Sequence, residues 1–162
     1  MPNTRDNPGV IAPPPLLALA AIVLGLALDW LLPAYVLRLL LSMELRIFFG
    51  VVLIGAGVGL GISAILTFRA AGAHVEPWKP ALALVTGGVF QWLRNPMYVG
   101  ILLSLAGLAI LLASDWMLVM TIFLAPVLHY GVVAREERYL EAKFGDAYRD
   151  YKLRVSRYGW PG

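Results

Sequence analysis

The residues with the clearest chemical potential fall in two short clusters. In Arg94-Asn95-Pro96-Met97-Tyr98-Val99-Gly100, an arginine and an asparagine stand directly before a proline that opens an apolar run. The free N–H groups and dipole at such a helix start favour an anionic group, and Arg94 can clamp a carboxylate or phosphate. Tyr98 lies one turn inside and can donate a hydrogen bond. The second cluster is Glu136-Glu137. Adjacent carboxylates project about 100° apart on a helix, so the two cannot face one partner together. One is free to meet an amine or a sugar diol. The other can pair with Arg94, or with Arg149 or Arg154 further along. His129 comes seven residues before Glu136, on the same helical face, inside an apolar stretch where an ionisable group is a functional candidate. His74 sits in a mixed, polar region. Each has a plainer reading: interfacial anchors, a solvated charged face, a histidine bonded to a backbone carbonyl. No pair of histidines and no carboxylate cluster has ligand spacing, so no metal site is expected.

These residues need elements to hold them, and the composition says which. The chain has 162 residues, 60% of them apolar and 14% charged. A soluble domain runs about 45–50% apolar and about 25% charged. Disorder is excluded, and a polytopic membrane protein is the expected class. The absence of cysteine excludes a disulfide scaffold, a cysteine-ligated metal and a cysteine nucleophile. Four apolar stretches, 16–32, 44–69, 97–113 and 116–134, read as membrane spans. Ser114 or Asp115 is placed to cap the fourth, and Pro126 to kink it. Gly55, Gly57, Gly59 and Gly61 form two small-xxx-small pairs suited to close helix packing. Residues 1–15 are expected to be a disordered lead, with Pro15 in the first helical turn. Residues 71–95 are expected to be a structured loop. The fourth helix should continue to about Lys143. Gly145 then stops it, and Asp146 restarts a short amphipathic helix. The expected fold class is therefore all-α: one domain over 1–162, polytopic and integral to the membrane, with about four transmembrane helices and a C-terminal helical segment over 135–162.

With four spans both termini share a side. That side holds eleven of the thirteen Lys and Arg residues, leaving Arg38 and Arg46 on the other. The bias predicts cytoplasmic termini, with the 71–95 loop and the charged tail facing each other there. The tail mixes basic with acidic residues, which argues against a nucleic-acid partner.

Together these pieces resemble a family. From about Phe68 to Tyr158 the chain is similar to the isoprenylcysteine carboxyl methyltransferase and phospholipid methyltransferase superfamily of integral membrane enzymes. The matching elements are Gly72, Pro77 and Pro80, then Leu84-Val85-Thr86-x-Gly88, then Arg94-Asn95-Pro96-Met97-Tyr98-Val99-Gly100. They end with Glu136-Glu137-x-x-Leu140-x-x-x-Phe144-Gly145-x-x-Tyr148-x-x-Tyr151. The resemblance implies S-adenosylmethionine as cofactor, S-adenosylhomocysteine as product, and a pocket at the cytoplasmic membrane face closed by the C-terminal segment. It implies Gly88, Arg94, Asn95, Tyr98, Gly100, Glu136 and Glu137 as cofactor-binding residues. His129 is then the candidate catalytic base, with His74 and Arg154 as acceptor contacts. The implied reaction is methyl transfer to a lipophilic acceptor entering from the bilayer, most like isoprenylcysteine carboxyl O-methylation. The alternatives are N-methylation of a phosphatidylethanolamine amine and a non-enzymatic membrane scaffold that keeps the fold. A nicotinamide-dependent reductase is a further alternative, although the short cytoplasmic loops leave little room for that cofactor.

Overall fold

The computed structural model describes residues 6–159, and among them every regular element is helical. Helix α1 (Pro14–Leu31) starts with proline in its first turn, where the missing N–H costs nothing. A five-residue helix α2 (Val36–Leu40) follows. Helix α3 (Met43–Ala70) is capped by Ser42, whose side chain accepts from Leu45 N. A 3₁₀ turn (Gly88–Gln91) precedes α4 (Pro96–Leu112). Helix α5 (Asp115–Leu128), capped by Ser114, runs into a π-helical turn (His129–Val133) and then α6 (Ala134–Phe144). Gly145, at φ +56°, ends α6, and α7 (Asp146–Arg154) begins at once. The four expected spans are all present as helices. Three of them, α1, α3 and the unbroken rod Asp115–Phe144, are long and apolar enough to cross a membrane; α4 is a shorter apolar helix.

The outward faces of these helices are apolar. Trp30, Leu39, Phe48, Ile122 and Phe123 are all largely exposed, as expected where the solvent is hydrocarbon. Cohesion comes instead from close backbone approach. Gly50 lies against Gly107 and Leu111, and Gly57 lies against Gly100 and Ser104, so α3 and α4 pack along their whole shared length. Of the four glycines expected to mediate packing, Gly57 does so. Gly55, Gly59 and Gly61 have open space where a Cβ would stand. Gly25 of α1 meets Met117 of α5 in the same way.

Each end of the bundle is tied by polar groups. At one end Asp29 accepts from Ser114 Oγ and from Trp116 N, and Asp115 accepts from Val36 N and Leu37 N, which fixes α2. At the other end α7 folds back on the 3₁₀ turn, where Tyr151 Oη donates to Phe90 O at 2.7 Å. Burial pushes the Tyr151 phenol up to about 12 and raises Tyr148 as well. An unfolded tyrosine ionises near 10, so this packing is intact below about pH 10 and is lost as the pH rises toward 12. The expected result in an alkaline titration is that these two rings ionise together with loss of helical signal, above pH 10. Tyrosinate absorbance and circular dichroism recorded on one sample would check it. Ionisation of all tyrosines near pH 10 with helicity unchanged would contradict it.

Candidate active site

Pro126 does not break the rod. The irregularity falls one turn later, in the π-helical turn, where each turn takes in an extra residue and rotates the helix beyond it. His129 and Glu136, seven apart and expected on one face, are thereby sent to different compartments. His129 lines an apolar groove between α4 and α5, and Glu136 lines a polar cleft beneath the 71–95 loop. π turns of this kind recur at functional sites.

The cleft is built around Glu137. This carboxylate is 7% exposed and receives Arg94 Nη2 at 3.1 Å. It also receives Arg157 through Nε at 3.0 Å and Nη2 at 2.6 Å. Arg94 is itself 9% exposed; its Nη1 donates to Lys152 O, and its Nε is buried without a partner among the described residues. Arg94 N donates to Ser156 O, and Asn95 Nδ2 donates to Arg157 O, so residues 155–159 are folded back against the start of α4. Phe68, Phe90 and Tyr148 supply aromatic walls, and His74 lines the outer edge.

The groove is a different environment. It has a volume of about 730 Å³, within the range of about 300–1,000 Å³ usual for ligand pockets. Its polar groups are few. His129 Nδ1 lies 2.8 Å from Tyr158 Oη, and Tyr98 stands at its inner wall. Tyr98 Oη donates to Glu136 Oε2 at 2.8 Å, so a single hydrogen bond joins the groove to the cleft.

The expected site residues thus divide. Arg94, Asn95, Glu136, Glu137 and His74 line the cleft; Tyr98 and His129 line the groove. Gly100 and Gly88 are packing positions. A Cβ on Gly100 would stand 2.6 Å from Gly57 O, and one on Gly88, which has φ +57°, would stand 2.6 Å from Thr67 Oγ1. Arg154 is on the outer surface of α7, donating to Asp150 O, and lines neither compartment. The reading of the sequence missed Arg157, Tyr139 and Tyr158. Each is a single residue without local pattern, placed by a chain reversal that no periodicity announces. Among the described residues no group of three His, Asp or Glu side chains could hold a metal.

Comparison with known proteins supplies the family. The family described as phospholipid methyltransferase matches residues 45–147, which takes in α3, the loop, α4, α5 and α6. The chain belongs to the phospholipid methyltransferase family. An uncharacterized protein of Haemophilus influenzae is 40% identical over 62 residues, which cover 38% of this chain and 98% of that protein. No solved structure matches. Membership of the phospholipid methyltransferase family agrees with the bundle of apolar helices: this is an integral membrane protein of a methyltransferase family.

The donor set of the cleft also fits the cofactor such enzymes typically use. S-adenosylmethionine offers a carboxylate, an ammonium, a sulfonium, a ribose diol and an adenine. Arg94 suits the carboxylate, Glu136 and Glu137 suit the cations or the diol, and the aromatic walls suit the base.

Proposed function

We propose that the protein transfers a methyl group from S-adenosylmethionine, held in the cleft, to a lipophilic acceptor that enters from the bilayer along the α4–α5 groove. The observation that carries this reading is the Tyr98–Glu136 hydrogen bond, because it is where an apolar compartment and a polar one meet. The lysine and arginine bias argues that the cleft opens to the cytoplasm.

When bound, the cofactor supplies a methyl group on a positively charged sulfur. The chain supplies position and proton handling. Arg94 and Glu137 orient the cofactor's polar ends, and Tyr98 and Glu136 fix the point of contact with the acceptor. The groove walls exclude water. Among the described residues the groove lining holds no lysine, arginine or carboxylate, so it supplies no counter-charge to a head group of either sign. The family description, phospholipid methyltransferase, supports an amine-headed phospholipid over an isoprenylcysteine carboxylate as the acceptor. An ammonium must lose a proton before it can attack, and His129 is the group placed to take it. In the tautomer that donates from Nδ1 to Tyr158 Oη, Nε2 keeps a free lone pair.

The test uses the purified protein in liposomes with tritiated S-adenosylmethionine. One sample contains phosphatidylethanolamine and another a farnesylcysteine acceptor. The expected result is label in phosphatidylethanolamine, with His129→Ala lowering kcat about a hundredfold. Label only in farnesylcysteine would restore the carboxylate reading, and label in neither would sink the proposal.

A further inference from the structure

Residues 6–13 carry no regular helix, yet they are fastened along the rod at regular intervals. Asp6 accepts from Tyr139 Oη at 2.7 Å and from Lys143 Nζ at 2.9 Å. Gly9 O accepts from Arg135 Nη1 at 3.0 Å, and Ile11 N donates to Gly131 O at 3.1 Å. The rod positions engaged are 131, 135, 139 and 143, a single ridge of residues four apart. The segment runs antiparallel to that ridge. Its five steps from Asp6 to Ile11 extend about 17 Å, and the twelve residues from Gly131 to Lys143 rise about 18 Å, so the two lengths match.

The segment is held unequally. Val10 packs on the core formed by α1, α4 and α5. The Ile11 side chain lies so close to Gly131 that a Cβ there would come within 2.8 Å of Ile11 Cγ1. Asp6, in contrast, has a side chain 59% exposed, and its bonds to Tyr139 and Lys143 are at the surface. Exposed pairs of this kind contribute little, because water screens them. Between the firm and the weak attachments stands Gly9, at φ +62° with open space around it. Pro8, on the weak side of that glycine, forms part of the cleft wall. The same Tyr139 hydroxyl accepts from Ala81 N, so one atom pins both the segment and the 71–95 loop over the cleft. In this closed arrangement the cleft has a cavity volume of about 70 Å³, room for a handful of waters. A nucleoside cofactor needs several hundred.

We infer that residues 6–9 form a lid over the cofactor cleft, hinged at Gly9 and latched by Asp6 on Tyr139 and Lys143, which must open for the cofactor to enter or leave. This rests on the cleft being the cofactor site. Opening exposes Tyr139 and enlarges the cleft. The anchor at Val10 and Ile11 returns the lid to its place.

The chain contains no cysteine, so a pair can be introduced without background. Asp6→Cys with Lys143→Cys, bridged by a short bis-methanethiosulfonate, locks the lid, and dithiothreitol releases it. The probe is S-adenosylhomocysteine, with association and dissociation rates measured on the full chain in detergent. Locking should slow both rates at least about tenfold and reduction should restore them, while Asp6→Asn should speed both about three- to tenfold with little change in Kd. Asp6→Asn alters an exposed side chain and remains informative if the double variant folds poorly. Binding with the same rates in locked, released and Asp6→Asn proteins would overturn the lid and leave the cofactor site standing. A folded wild type that binds no S-adenosylhomocysteine would overturn the cofactor site and the lid with it.

Discussion

Replacing Glu137 with alanine should lower stability by about 3–5 kcal/mol, because it strands a buried arginine without its counter-charge. Glu137 is the hub on which α4, α6 and residues 155–159 converge, and Arg94 beside it is almost fully buried. With the carboxylate gone, the Arg94 side chain keeps one hydrogen bond among the described residues, to Lys152 O, and its Nε has no partner among them. Arg157 is a third exposed and can turn to water. Arg157→Ala should therefore cost about 1 kcal/mol, since solvent screens its share of the interaction. Thermal unfolding in detergent would check the order of the two. Equal losses would mean that the buried pair with Arg94 is not what secures the C-terminal segment.

Gly57→Ala should force α3 and α4 apart, where Gly59→Ala should not. The added Cβ on Gly57 would stand 2.5 Å from Gly100 O and 2.8 Å from Ser104 N, both held in the facing helix, so no side chain can yield. Overpacking of this type costs about 1–3 kcal/mol. Because α4 begins at Pro96, the shift would also move Arg94, Asn95 and Tyr98 relative to the glutamates. At Gly59 a Cβ meets nothing within 4 Å, and alanine is the better helix former by about 1 kcal/mol. The expected outcome is a lower melting temperature for the first variant and an equal or higher one for the second. Indistinguishable variants would remove the glycine contact as the basis of α3–α4 packing.

The features legible in the sequence were those that local chemistry encodes. Apolar runs of span length marked out the helices. Ser114 or Asp115, and Gly145, marked their ends, and Arg94 was one of three arginines open to one of the two glutamates; the structure pairs it with Glu137. The features that could not be read depend on contacts between distant residues. Asp6 meets Lys143, and Arg157 reaches back to Glu137, across loops and reversals that leave no periodic trace. Residues 6–13 look like a polar and proline-rich lead until the ridge they run along is seen. The π-helical turn is a further case, because a seven-residue spacing places His129 over Glu136 only if the helix between them stays regular. Gly100 belongs to a motif of chemical interest, yet its want of a side chain is explained by the approach of Gly57 O.

The proposed activity and the proposed lid both depend on the Glu137 cleft holding S-adenosylmethionine. Calorimetric titration of S-adenosylhomocysteine into the detergent-purified protein tests it most directly, with Tyr98→Phe as a variant that touches the groove side and Glu136→Ala as one that touches the cleft. The expected result is saturable one-site binding that Glu136→Ala weakens at least about tenfold and Tyr98→Phe leaves nearly unchanged. A folded, monodisperse sample that takes up no S-adenosylhomocysteine would contradict it.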